Sequence, residues 1–100
     1  MAFELIVKPD AEVDIRNAVA YYDQQSSALG DEFLDRVRDA LHALKGNPFL
    51  AAKSYQEIRQ TMIRQFPYVI SYLVEDDRIV VIAVVHGRRN PSSWQSRLDD

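Results

Sequence analysis

The sequence has no cysteine, which rules out a disulfide framework and any thiolate metal cluster. Its two histidines, His42 and His86, lie far apart, so no metal-ligand set is expected either. No apolar run approaches the roughly 20 residues of a membrane helix, and no signal-peptide pattern precedes the first apolar stretch. A soluble, cytoplasmic protein is the expectation. Excess positive charge is also missing: the formal net charge is −3, which argues against a surface wholly given to nucleic acid. Ser71 falls inside a β-rich run, and Ser92, Ser93 and Ser96 lack the glycine context of a nucleophile elbow. Internal repeats, low-complexity tracts and linkers are absent too. One domain spanning residues 1–100 is expected, with a single core, no large enclosed active site and no cofactor.

What is present is organised around Phe66 to Arg89. Tyr68 to Glu75 and Arg78 to His86 are rich in Val, Ile and Tyr, and only Asp76-Asp77 separates them. That pattern predicts a β-hairpin, and aspartate tolerates the positive φ a two-residue turn demands better than most residues do. With Glu75 opposite Arg78, the register sets Val74 by Ile79, Tyr72 by Val81, Ile70 by Ala83 and Tyr68 by Val85. His86 then falls on the other face with Leu73, Val80 and Ile82. Both faces are largely apolar, which predicts an interior strand with helices on one side and a partner or a loop over the other.

Upstream, Phe3 to Lys8 alternates and ends at Pro9, a short strand. Pro9-Asp10 opens a helix to about Gln25, with Asp10, Glu12 and Asp14 near the positive end of its dipole and a stripe of Ala11, Ile15, Ala18, Val19 and Tyr22. Ser26-Ser27 marks a break. A second helix carries Leu29, Phe33, Val37, Ala40, Leu41 and Leu44, with Glu32 and Arg36 at ion-pair spacing, and stops at Gly46-Asn47-Pro48. Phe49 to Lys53 reads as a connector, and Tyr55 to Phe66 as one strand with Ile58, Met62, Phe66, Gln60 and Arg64 on one side and Glu57, Arg59, Thr61 and Ile63 on the other. Past His86 the periodicity fades, with a helical turn around Trp94 to Leu98. The fold class expected is α+β: strand, helix, helix, strand, strand, strand, an antiparallel sheet with a helical hairpin packed on one face.

The charge is unevenly placed. Residues 1–52 carry five Lys and Arg against nine Asp and Glu, whereas residues 53–98 carry seven against four. Arg59, Arg64, Arg88 and Arg89 therefore collect on the sheet and tail, where they suit phosphate or carboxylate recognition or else a solvated face paired with Glu57 and Glu75. His86 is either a general acid or base or a strand-end residue bonded to backbone. Tyr21, Tyr22, Tyr55, Tyr68 and Tyr72 mostly belong to the core by parity, and Trp94 is either an anchor for the tail or part of a contact surface.

In this order and spacing, PDAEVDIRNAVAYYD, LGDEFLDRVRDALHALKGNP and EIRQTMIRQFPYVISYLVEDDRIVVIAVVHGRRNPSSW resemble the RelE/ParE superfamily of bacterial type II toxins over nearly the whole chain. The most specific pieces are Ile58-Arg59, Arg64 with Phe66-Pro67-Tyr68 and Tyr72, and His86-Gly87-Arg88-Arg89 with Pro91 and Trp94. The resemblance implies one of two activities. RelE-like members cut mRNA in the ribosomal A site, for which Arg59, Arg64, His86 and Glu57 would be the candidate catalytic set. ParE-like plasmid-stabilisation toxins are associated with inhibition of DNA gyrase, for which Arg59, Arg64, Arg88, Arg89 and Trp94 would contact the target. Both kinds are silenced by a cognate antitoxin, here expected at Phe49 and Leu50. The acidic balance and the lack of a tyrosine after His86 turn the reading towards the ParE-like side, with the endoribonuclease and an inactive relative as alternatives.

Overall fold

The computed structural model describes residues 3–99. The elements in chain order are β1 (Glu4–Val7), α1 (Pro9–Gln25), α2 (Ser27–Gly46), β2 (Lys53–Tyr55), β3 (Ile58–Met62), β4 (Tyr68–Glu75), β5 (Arg78–His86) and a short α3 (Ser92–Gln95) that runs into a 3₁₀ turn. The sheet has five strands in the order β1-β5-β4-β3-β2. Four strands are antiparallel neighbours, and β1 joins the edge of β5 in parallel. The helical hairpin thus carries the chain from one edge of the sheet to the other.

Both helices form where their stripes predict. Pro9 starts α1, and Asp10 and Glu12 occupy its first turn. Ser26 separates the helices with an extended φ of −169°, and its carbonyl accepts the Leu29 and Gly30 amides; its hydroxyl caps nothing. All eleven stripe residues join one core with Ile63, Phe66, Ile70, Tyr72, Ile79, Val81 and Val84 from the sheet and its loop. At its centre the Phe33 ring packs 5.4 Å from Tyr22 and 5.1 Å from both Phe66 and Tyr68. Arg36 pairs with Asp39 at 3.5 Å rather than with Glu32.

The outer face of the sheet is covered as well. Ile58, Val80, Ile82, Ala83 and Val85 form a second cluster with Trp94, against which Leu98 and Leu73 pack. Burying an indole removes roughly 200 Å² from water, a gross gain of about 5 kcal/mol at the usual coefficient that offsets part of the entropy cost of ordering the tail against the sheet.

Two expectations are corrected. The stretch read as one strand from Tyr55 to Phe66 is two: the chain reverses at Gln56, whose φ is 50°, so that Tyr55 pairs back onto Ile58. It then leaves the sheet after Met62, with Gln65 left-handed at φ 70°. Parity therefore stops at Met62, and Phe66 lies in the helix-side core, on the other side from Ile58.

The second correction concerns register. Asp76 takes the left-handed turn position at φ 55°, and pairing runs as predicted from Glu75 and Arg78 to Tyr72 and Val81. Ser71 then faces Ala83, leaving Ile82 unpaired, and every later partner moves by one, ending with Tyr68 opposite His86. A β-bulge of this kind reverses the parity of the bulged strand beyond it. Val84 and His86 consequently turn to the helix side, while Ile82, Ala83 and Val85 share the outer face.

Candidate functional site

The bulge places His86 beneath α1. Its ring lies 5.6 Å from that of Tyr68, and the two rings, with Asn17 and Tyr21 of α1 and with Arg89, line a cleft of about 180 Å³. The turn that follows is closed on His86 itself. The Gly87 amide donates to the Pro67 carbonyl at 2.8 Å, the Arg89 amide to the His86 carbonyl at 2.9 Å and the Arg88 amide to His86 Nδ1 at 3.0 Å. An Nδ1 that accepts leaves the proton of the neutral ring on Nε2, so His86 both bonds backbone and offers a donor. Burial pushes the Tyr68 hydroxyl above its ordinary pKa, the neighbouring Tyr21 adds to this, and the Arg89 charge opposes it. The cleft therefore gathers tyrosine hydroxyls, an imidazole N–H and a guanidinium, a donor-rich lining suited to an anionic oxygen.

The predicted arginines divide between the two ends of the sheet. Arg64 is exposed in the loop between β3 and β4, at the same end as Arg88 and Arg89, which are also exposed. Arg59 is elsewhere and already engaged: its Nη1 donates to the carbonyls of Ala51 and, at 3.4 Å, Phe49, and its guanidinium covers the Phe49 ring at 5.3 Å. Glu57 sits in the exposed turn before β3 and pairs with Lys53 at 2.7 Å, which lowers its pKa through that hydrogen bond and the lysine charge. Arg59 pairs with Tyr72 and His86 with Tyr68, four residues apart on opposite flanks of β4, a separation of roughly 13 Å along the strand alone. Glu57, Arg59, Arg64 and His86 do not converge. Trp94 is 3% exposed and meets Tyr55 edge-on at 6.1 Å, which makes it the anchor of the tail.

A second depression of about 350 Å³ runs between the C-terminal half of α2 and β3. Ala40, Ala43 and Leu44 face Leu50 and Met62 across it, with Arg36 and Arg64 also in its lining. Leu50 is 84% and Met62 65% exposed, and Phe49, beside Phe3 at 5.9 Å, is half exposed. Phe49 and Leu50 thus belong to a larger apolar surface than the sequence suggested.

Sequence reasoning missed one polar pair. Asp14 and Arg97 are joined by two short contacts, Nη1 to Oδ2 at 2.8 Å and Nη2 to Oδ1 at 3.1 Å, and Asp14 is among the residues lining the His86 cleft. A signal was available: Asp14 stands three residues after Ala11 and four before Ala18, an acid on a stripe that is otherwise buried. Among the described residues no group of three or more His, Asp or Glu side chains gathers as metal ligands, and no helix is long and apolar enough to cross a membrane.

Comparison with known proteins accords with this architecture. Toxin ParE2 of Mycobacterium tuberculosis, in strains CDC 1551 and H37Rv, is 26% identical over 99 residues, covering 98% of this chain and 94% of the relative. Among solved structures, a chain of the chromosomal ParDE system of P. aeruginosa superposes with a TM-score of 0.76 at 11% identity, covering 85% of this chain and 96% of that one. A double arginine-to-alanine mutant of the E. coli toxin RelE, in the free state, gives 0.73 at 18% identity over 98% and 99%. At such identities the superpositions establish the shared fold. The model of the family described as the ParE toxin of the type II toxin-antitoxin system parDE matches residues 5–91, and the chain belongs to that family.

Proposed function

We propose that this toxin arrests growth in the cytoplasm by binding DNA gyrase through the end of the sheet that carries Arg64, Arg88 and Arg89, and that a cognate antitoxin silences it by covering the groove beside Phe49, Leu50 and Met62. The observation that carries the reading is the dispersal of the residues a nuclease would need. Arg59 is spent on the Ala51 and Phe49 carbonyls, Glu57 on Lys53, and His86 lies at the far end of β4. Protein binding has no need of convergence on one scissile phosphate. It needs exposed guanidiniums on a rigid element, which the closed Gly87 to Arg89 turn supplies.

For the antitoxin, the groove offers an apolar floor with Arg64 at its rim and Arg36 paired to Asp39 in its lining, a form that suits the apolar face of an amphipathic segment. An endoribonuclease remains the second reading, favoured by the donor-rich cleft around His86 and by a fold shared with RelE.

Induction in growing cells, followed by primer extension on mRNA and by an assay for gyrase-dependent DNA damage, tests the reading. Arrest with DNA damage and intact mRNA is expected, and codon-linked cleavage would overturn it in favour of the nuclease. A folded product that arrests nothing would identify an inactive relative. The antitoxin arm is tested by Leu50→Asp with Met62→Asp, expected to abolish co-purification with the product of the neighbouring gene.

A further inference from the structure

Beyond Val81, strand β5 has lost its outer neighbour. β1 pairs with it only from Arg78 to Val81, and the last bond runs from the Lys8 amide to the Val81 carbonyl at 3.0 Å. At the bulge that follows, the Ile82 carbonyl and the Val84 amide need partners that no strand provides. Backbone groups buried without partners are costly. Here two side chains meet them: Arg97 Nη1 donates to the Ile82 carbonyl at 3.0 Å, and Asp14 Oδ2 accepts the Val84 amide at 3.0 Å. The same two side chains grip each other in a fork, with Asp14 8% and Arg97 19% exposed. One ion pair thus presents a donor and an acceptor where another strand residue would stand.

The pair also joins three parts of the molecule: α1, the bulge of β5 and the tail after Trp94. Arg97 approaches Asp10 as well, at 3.8 Å, and its hydrogen bond to Asp14 holds its pKa above the ordinary value. Asp14 shares the lining of the cleft with Arg89. A carboxylate left unpaired there would attract the Arg89 guanidinium and repel any anionic group approaching it.

We propose that Arg97 is a positioning residue for the basic end: its fork with Asp14 closes the open edge of β5, fixes the tail, and keeps the Asp14 carboxylate from capturing Arg89. The part concerning Arg89 rests on the reading that the basic end meets the target. Arg97 touches no target itself and acts through Asp14. The full-length chain is induced as wild type, R97A, R97K, D14N, R97A/D14N and R89A, with growth arrest read against the amount of folded toxin. Hydrogen exchange at the Val84 amide is followed in parallel.

R97A is expected to lower potency on the order of tenfold, the scale of coupling between neighbouring charges, and to speed Val84 exchange by a similar factor. R97K keeps the charge without the fork and is expected to fall between R97A and wild type in Val84 exchange, which serves if R97A folds poorly. Adding D14N to R97A removes the stray carboxylate while keeping an acceptor for Val84, so most of the potency is expected to return. A merely structural pair would give no such rescue, and R97A/D14N as weak as R97A at equal folded amount would overturn the proposal. Wild-type potency and unchanged Val84 exchange in R97A would overturn it also. If R89A arrests growth like wild type, the reading of the basic end falls instead, and Val84 exchange alone then decides whether the clamp stands.

Discussion

Arg59 donates from the helix-facing side of β3 to the carbonyl of Ala51, and so ties the chain between α2 and β2 down onto the sheet. The same guanidinium lies over the Phe49 ring at 5.3 Å, and beside it the Tyr72 hydroxyl donates to the Pro48 carbonyl at 2.8 Å. The carbonyls of Pro48, Phe49 and Ala51 are thus held by residues of β3 and β4, which fixes the backbone on either side of Leu50 at the groove. Arg59→Ala is expected to cost about 2 kcal/mol, towards the lower end of the range for hydrogen bonds to charged groups because these carbonyls are partly exposed, and to open 48–52 to proteolysis. Arg59→Lys recovers little, because an ammonium cannot reach two carbonyls and cover the ring together. Urea denaturation with limited proteolysis reads both effects. Unchanged stability together with lost target inhibition would instead make Arg59 a contact residue.

The alkaline limit of stability follows from three tyrosines. Burial is the first cause that raises the pKa of Tyr22, Tyr68 and Tyr72 above the ordinary value, so the folded state resists their ionisation. Between the unfolded pKa, near 10, and the higher folded values, the unfolded chain binds fewer protons than the native one. Stability is therefore complete below about pH 10 and declines as pH rises beyond it. Absorbance titration of the phenolates is expected to show Tyr22, Tyr68 and Tyr72 ionising later than free tyrosine, in step with loss of native circular dichroism. A simple single titration near the free value, with the fold retained, would contradict this.

Much of the architecture was legible because it follows from period. The stripes from Ala11 to Tyr22 and from Leu29 to Leu44 locate both helices and their buried faces, and Asp76-Asp77 pins the hairpin register as far as Tyr72. What failed is what depends on a single residue's backbone. Nothing in the apolar run from Ile79 to Val85 marks Ile82 as the extra residue, since valine and isoleucine fit either face of a sheet buried on both. Parity alone therefore sets His86 on the outer face, and the bulge moves it to the helix side. Gln56 and Gln65 take positive φ without the glycine or asparagine that would announce it, so periodicity alone predicts one strand where two exist. The candidate site suffered most, because it depends on where the ends of strands fall. The groove needed α2 and β3 to be set side by side, and the Asp14 clamp joins residues 83 positions apart.

The close approach of the helices at Gly30 supplies the last prediction. A Cβ placed on Gly30 would lie 1.8 Å from Asp23 Oδ1 and 3.2 Å from the Val19 carbonyl oxygen. The first clash is with the end of an exposed side chain and is relieved by rotation; the second requires α1 to yield by a few tenths of an ångström. Alanine for glycine inside a helix is worth about 1 kcal/mol. Displacing the Asp23 carboxylate from the start of α2 gives back about 0.3–1 kcal/mol. Gly30→Ala alone is therefore expected to change stability little. With Asp23→Ala already in place the carboxylate term is gone, and the same substitution is expected to stabilise by about 0.5–1 kcal/mol. Denaturant midpoints for the four members of the cycle measure the coupling, and strict additivity would mean that Asp23 does not rest against Gly30. A leucine at position 30 cannot be accommodated by rotating Asp23. It should wedge α1 from α2, and because α1 carries Asn17 and Tyr21 into the cleft that Arg89 also lines, the proposed target contact at that end is expected to weaken along with stability.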